Sequence, residues 1–317
     1  LQRLRRRIRA CSNEPAGVPK SWGGFEELAL ELFALQFAQN APYRRFCEAR
    51  GAQPGSVADW TAIPAVPTSA FKELELSCLP VGERTTMFCS SGTTGHRPSR
   101  HFHNAASREL YETSLLAWFR ACCRWPMADC QWVVLTPPPA QAPHSSLVHM
   151  FEVIRRELAP GAAPFVGKVA EAGAWMVDVD TALQRMQQAR TDAQPALLLG
   201  TAFSFVHLLD GLAGRGLHCE LPAGSCAMET GGYKGRSRAL SKTALHALVS
   251  QRLGIAPGHI VCEYGMSELS SQAYDCALSR SRNTQHATCA FRFPPWARVQ
   301  IISPETGDEV GEGETGL

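Results

Sequence analysis

Residues 88–95 read Phe88-Cys89-Ser90-Ser91-Gly92-Thr93-Thr94-Gly95, and how the rest of the chain is understood depends on them. Glycine permits positive φ and close backbone approach, while Ser and Thr bring hydroxyl donors without bulk. The run can therefore wrap N–H and O–H groups around phosphate oxygens. It is not a Walker loop, because His96, Arg97 and Pro98 follow where Gly-Lys-Ser/Thr would stand. Taken alone, the same run also reads as a polar turn between two elements.

About 170 residues further on, the apolar run Ile260-Val261-Cys262 leads into Glu263-Tyr264-Gly265-Met266-Ser267-Glu268. The spacing predicts the end of a buried strand opening into a glycine-containing turn, where α/β enzymes hold ligands. Two further stretches stand out. One is Ile63-Pro64-Ala65-Val66-Pro67-Thr68-Ser69-Ala70-Phe71-Lys72, ahead of the first loop. The other is Glu229-Thr230-Gly231-Gly232-Tyr233-Lys234, between the two motifs.

Together these stretches resemble the adenylate-forming superfamily of acyl-CoA synthetases, luciferases and peptide-synthetase adenylation domains. Within it they are most similar to the bacterial bioluminescence acyl-protein synthetases, from about residue 20 to the end of the chain. Glu263 through Tyr274 fits that group better than it fits the CoA ligases. The resemblance implies an α/β fold of mostly parallel sheets flanked by helices. That fold is the large N-terminal domain of an adenylate-forming enzyme, with the small C-terminal domain absent. The implied activity is that of an acid–thiol ligase. It would use ATP and Mg2+ to convert a fatty or related carboxylic acid to an acyl-adenylate, then transfer the acyl group to a protein thiol. The implied partners are a small-molecule carboxylic acid and an acyl-accepting or reductase protein. An aryl- or acyl-acid CoA ligase of the phenylacetate type shares the core motifs. A non-catalytic nucleotide-binding fragment is a third reading, against which the intact Tyr264–Glu268 run argues.

The resemblance also assigns roles. Ser90, Ser91, Gly92, Thr93, Thr94 and Gly95 would hold the β- and γ-phosphates, with Arg97 or Arg100 adding charge. Gly231 and Gly232 would let backbone approach the adenine edge, Tyr264 would face the base, and Tyr233 and Gly265 fall in the same nucleotide-binding set. Ser267 would reach the α-phosphate or the substrate carboxylate. Glu268 would meet magnesium, whose preference for hard oxygen a carboxylate satisfies. Lys234 completes the catalytic set with Ser267 and Glu268, and Lys72 is a second lysine that would pair with phosphate. Activation requires two anions to be held together, which is work for a metal ion and aligned donors.

Each assignment has a plain alternative. Glu268 also suits a helix N-terminus, where a carboxylate gains ~0.3–1 kcal/mol. Tyr264 suits a core tyrosine, Ser267 a turn cap, and Gly231-Gly232 a tight turn. Lys72 and Lys234 read equally as surface lysines beside Glu73 or Glu229. His144, after the proline run, falls near the acyl pocket by the same comparison. His101 and His103 leave the first loop without a role. Ala202-Phe203-Ser204-Phe205-Val206 reads either as an acyl-channel wall or as the buried face of a helix.

Composition bounds the rest. With 31 basic and 29 acidic side chains in 317 residues, the net charge of +2 gives no general case for nucleic acid. The exception is the basic cluster Arg3 to Arg9, read as a solvated helix or frayed terminus. No signal peptide and no run of transmembrane length appears, which points to a cytoplasmic protein without a membrane span. The 12 cysteines show no paired Cys-x-x-Cys framework. Cys89 and Cys262 read as small core residues. Cys276, His286 and Cys289 lack a persuasive fourth zinc ligand, and His218, Cys219 and Cys226 are no better.

Strands and helices alternate. Phe25, Leu28, Leu32 and Leu35 predict one amphipathic helix over about 24–50. Trp132–Leu135 predicts a strand stopped by Pro137–Pro139, then a helix capped by Ser145 or Ser146 through about Leu158. Further strands are predicted at Trp175–Val177, Ala196–Leu199, Cys226–Met228 and His259–Cys262. Helices are predicted at Thr181–Arg190, Phe203–Leu212 and Ser237–Leu253. This order favours a mostly parallel sheet. Arg298–Ser303 alternates like a strand, and 311–317 enters another. The expected division is a basic segment over 1–20 and an adenylate-forming N-terminal domain over 21–317, truncated before a mobile C-terminal domain.

Overall fold

Leu197-Leu198-Leu199 is fully buried, and this apolar run lies in an interior strand of the central sheet. The computed structural model describes residues 2–12, 24–90, 97–123, 125, 129–159, 165–171, 173–233, 237–275 and 290–317. In chain order its first elements are α1 (Gln2–Ser12), α2 (Phe25–Gln39), α3 (Ala41–Glu48), α4 (Ala70–Glu73), β1 (Thr86–Cys89), β2 (Arg100–His103) and α5 (Ala105–Cys122). There follow β3 (Gln131–Val134), α6 (Ser146–Leu158), β4 (Gly167–Val169), β5 (Trp175–Val177), α7 (Val179–Thr191), β6 (Ala196–Thr201) and α8 (Ala202–Ala213). The last are β7 (Cys226–Thr230), α9 (Lys242–Leu253), β8 (Ile260–Met266) and β9 (Ser271–Tyr274).

The central sheet has the order β3-β6-β7-β8-β9, with the first four strands parallel and β9 antiparallel to β8. Side chains alternate between its faces, as the two-residue period requires. Trp132, Val134, Leu197, Leu199, Met228 and Val261 pack on one face beneath α5 and α6. Val133, Leu198, Ala227 and Ile260 pack on the other against α7, α8 and α9. Helices on both faces explain why these strands read as continuous apolar runs. Among the described residues, no helix is long and apolar enough to cross a membrane.

Local caps set the helix starts. Ser145 accepts from Val148 N, Asp178 from Thr181 N and Ser241 from Ala244 N; Thr201 and Ser204 form a capping box. The helix expected from Ser237 therefore starts five residues later, at Lys242, after Arg238 has turned to pair with Asp210 at 2.7 Å.

Four expectations are corrected. The single helix over 24–50 is two, because buried Asn40 adopts an extended backbone and caps α3 through Tyr43 N at 3.2 Å. Its apolar residues form two stripes: Leu28 faces Ile8 and Ala117, whereas Phe33 faces Tyr43 and Cys47. Leu35 is exposed. Trp175–Val177 lies outside the central sheet and pairs antiparallel with β4, the chain reversing at Gly173 (φ +74°). Strand β8 runs through the Glu-Tyr-Gly-Met motif to Met266, because β9 pairs with it from Glu263 to Met266. Arg298–Ser303 forms only an isolated bridge, Ile302 with Glu309, although Ile302 also exchanges backbone bonds with Leu317 at 2.9 and 2.8 Å.

The basic N-terminal cluster forms a docked helix. Arg3 pairs with Glu27 at 2.8 Å and also with Glu31, Arg5 pairs with Glu109, and Ile8 is buried.

Candidate active site

The β1–β2 hairpin, the β7 C-terminus and the β8–β9 turn converge on one cavity of about 520 Å3. Ser90, Gly231, Gly232, Gly265, Ser267 and Glu268 all line it, as does His144. Of the first motif only Ser90 can be placed, since Ser91, Gly92, Thr93, Thr94 and Gly95 lie outside the described residues. The same holds for Lys234 and for Cys276, His286 and Cys289. Ser90 closes the hairpin: its N–H donates to Ser99 O at 3.1 Å, and its Oγ accepts from Ser99 N at 3.0 Å.

Glu268 sits in the turn after β8, with β9 rather than a helix following, so the helix-terminus alternative is excluded. Its Oε1 accepts from Ser99 Oγ at 2.8 Å and lies 3.3 Å from His101 Nε2. Ser99 Oγ is also 2.9 Å from that nitrogen. Because the Ser99 proton goes to the carboxylate, His101 Nε2–H supplies the remaining donor. The His101 hydrogen bond is the chief reason that Glu268 titrates well below the usual range, at about 2. Glu268 is therefore a permanent anion at the cavity wall.

Glu263, five residues earlier on β8, is the contrasting carboxyl. Burial pushes it up to about 7, while a hydrogen bond from Thr230 works in the opposite direction. Gly265 lies against it, and an added Cβ there would press on the Glu263 carboxyl and force that side chain to move. Gly231 is required for its φ of +70°. At Gly231 and Gly232 an added Cβ would meet nothing within 4 Å, so the backbone there faces open space.

Ser267 Oγ and Ser146 Oγ are 3.0 Å apart, which joins the motif to the start of α6. His144 ties the same region to β1, Nδ1 to Met87 O at 3.0 Å. Tyr233 and Tyr264 are not among the cavity-lining residues. Tyr233 is half-buried and packs on the α7–α9 side of the sheet. Tyr264 is 42% exposed, beside Phe291 and Phe293 at ring separations of 5.6 and 6.0 Å. Arg100 turns toward Glu75 at 3.9 Å, and Arg97 is exposed. Lys72 is half-buried on α4 and also lies off the cavity wall. Phe203 lines the cavity, while Phe205 and Val206 lie in the core of the opposite layer, as the buried face of α8.

Cys89 and Cys262 are half-buried rather than core residues. Burial raises both thiols, as it raises Cys130 to about 11 and Cys226 to about 12, so none of these is a ready thiolate. Among the described residues, no three His, Cys, Asp or Glu side chains cluster as a metal site.

Ser99, His101, His103, Tyr111 and Gln272 were given no role from sequence, and Ser146 only that of a helix cap. For the two histidines a signal existed: residues 101 and 103 of a strand share one face. For the others, sequence spacing carries none.

The fold is that of an adenylate-forming ligase domain. A 2-hydroxyisobutyryl-CoA ligase, solved in an open conformation with 2-HIB-AMP and CoA, matches with a TM-score of 0.64 and 15% identity over 96% of this chain. This chain spans 65% of that ligase's length. A luciferase-like enzyme from the nonluminescent mealworm Zophobas morio matches with a TM-score of 0.45 and 16% identity, over 79% of this chain and 50% of the other. No curated protein matches by sequence. Residues 24–317 match the family described as "Acyl-protein synthetase, LuxE", and the chain belongs to that family.

Proposed function

We propose that this chain activates a carboxylic acid with ATP, forming an acyl-adenylate whose acyl group then passes to a protein thiol. The observation that carries the reading is the cavity itself. Residues of three motifs spread over about 180 positions, from Ser90 to Glu268, line one space of about 520 Å3. Family membership supports it, as does a fold shared with a ligase solved with an acyl-AMP and CoA.

The reaction asks a carboxylate oxygen to attack the α-phosphorus of ATP while pyrophosphate leaves, so like charges must be brought together. Glu268 fits a magnesium ion, being ionised, a hard oxygen ligand, and oriented through Oε1 by Ser99 and His101. Magnesium bound there would neutralise charge on the phosphate oxygens. Ser99 and His101 orient the carboxylate beforehand, so it need not reorganise as the reaction proceeds. Ser267, backed by Ser146, presents a hydroxyl to the α-phosphate or substrate carboxylate. The open backbone at Gly231-Gly232, with Tyr233 next in sequence, accepts the nucleotide edge, and Tyr264 with Phe291 and Phe293 offers an aromatic face. In this reading Ser91–Gly95 and Lys234 supply the remaining phosphate donors. Nine of the described cysteines are free thiols, which suits a reducing compartment such as the cytoplasm.

Calorimetry with ATP and magnesium, followed by ATP–pyrophosphate exchange over fatty and aryl acids, tests the reading. Folded protein that binds no nucleotide at millimolar concentration would overturn it. Acyl transfer to free CoA in preference to a protein thiol would favour the phenylacetate-type ligase instead.

A further inference from the structure

The turn between β8 and β9, residues 267–270, sets three polar side chains on the cavity wall: Ser267, Glu268 and Ser270. Ser267 is partnered by Ser146, and Glu268 by Ser99 and His101. Ser270 is half-buried, and its backbone is left-handed, with φ at +49°. Among the described residues the other non-glycine with positive φ is Ala193, at +51°. It closes α7 through backbone bonds, Ala193 N to Arg190 O at 3.2 Å and Gln194 N to Ala189 O at 2.9 Å. Glycine occupies a left-handed turn position without a Cβ clash, and asparagine or aspartate tolerates it; serine has neither advantage. The other described hydroxyls on the cavity wall all have protein partners, from Ser90 with Ser99 to Thr230 with Glu263. Among the described residues the Ser270 hydroxyl has none. A strained non-glycine position on a cavity wall, bearing a hydroxyl that bonds nothing in the protein, points to a ligand group.

We propose, resting on the acid-activating reading, that the Ser270 hydroxyl donates a hydrogen bond to a phosphate oxygen of the bound nucleotide. Ser270 follows Glu268 by two residues in one tight turn, closed by Leu269 N donating to Met266 O at 3.1 Å. The two side chains therefore reach the cavity from the same short piece of backbone. An ionised carboxylate only accepts, so Glu268 serves the metal ion and offers the phosphate no hydrogen bond. A hydroxyl beside it supplies the missing donor, and a bond to a charged phosphate oxygen is stronger than one between neutral groups. Among the described residues the cavity wall holds no Lys or Arg, so a phosphate oxygen there takes its hydrogen bonds from neutral donors. The strain at Ser270 is then the consequence of keeping a side chain where glycine would suit the backbone better.

Two variants separate the hydroxyl from the backbone. Ser270→Gly removes both the hydroxyl and the strain, whereas Ser270→Ala removes the hydroxyl and keeps the strain. Calorimetric titration with ATP and magnesium should show affinity weakened about tenfold or more in both, the loss expected for one hydrogen bond to a charged group. Urea unfolding should place Ser270→Ala near wild type and Ser270→Gly at or above it, so affinity falls with no fall in stability. In ATP–pyrophosphate exchange the KM for the carboxylic acid should stay near the wild-type value. Wild-type ATP affinity in either variant overturns the assignment and leaves acid activation standing. Affinity that falls only in step with stability, or a loss confined to the acid KM, overturns it as well. Folded wild-type protein that binds no ATP overturns the acid-activating reading, and this inference with it.

Discussion

His101 Nε2 lies 3.3 Å from Glu268 Oε1, so a strand leaving the first motif holds the carboxylate that ends the last one. The Phe71 ring, from the segment ahead of the phosphate loop, packs on the His101 ring with centroids 5.2 Å apart. Three stretches that look independent in sequence thus converge on one imidazole. The carboxylate arrives at the cavity already ionised and already oriented.

Glu268→Gln keeps the shape of the side chain and removes its charge. Magnesium-dependent ATP binding should weaken at least tenfold, while the fold loses about 1–3 kcal/mol from the weakened bonds to Ser99 and His101. Calorimetric titration with and without magnesium, read beside the melting temperature, checks both numbers. Unchanged metal dependence would assign Glu268 a purely structural role.

The two cavity carboxyls should pull stability in opposite directions with pH. Glu268 titrates at about 2, below its ordinary 4.5, so its contribution is full above about pH 4.5 and is lost as pH falls through 2. Glu263 titrates at about 7, so its contribution is full below 4.5 and disappears as pH rises through 7. Urea unfolding should therefore show the Glu268→Gln deficit shrinking toward pH 2. Glu263→Gln should be relatively most stable, against wild type, above pH 7.

Gly265→Ala places a methyl group against Glu263 Oε1 at 2.3 Å, and the carboxyl is buried with Thr230 as its donor. The substitution should cost about 1–3 kcal/mol. Removing the obstacle in Gly265→Ala/Glu263→Ala should give a double variant less destabilised than the sum of the two singles. Additive losses in a double-mutant cycle would show that the clash is absorbed elsewhere.

Asn40→Ala removes the side-chain cap of α3 at the point where α2 ends. The expected loss is about 0.5–2 kcal/mol with ATP binding unaffected, because Tyr43, whose N–H it caps, packs in an apolar cluster apart from the cavity. Denaturant melts with a parallel nucleotide titration separate the two effects.

The legible parts of this protein were those with short-range causes. Continuous apolar runs located β3, β6 and β7, and the capping hydroxyls of Ser145 and Ser241 lie directly in the sequence even where the expected start was placed too early. Gly231-Gly232 and the Gly265–Glu268 part of the second motif, both visible in the sequence, lie on the cavity wall. Other features depend on residues far apart in the chain. A three-residue strand such as Trp175–Val177 carries no label for the sheet it joins, and here a hairpin at Gly173 claims it. The motif after Cys262 continues as strand because β9 folds back onto it, a pairing that no window over 260–266 contains. Ser99 and His101 reach Glu268 across about 170 positions of sequence. Their meeting is set by where the β1–β2 hairpin and the β8–β9 turn come to rest against the parallel sheet, and local propensity has no hold on that distance.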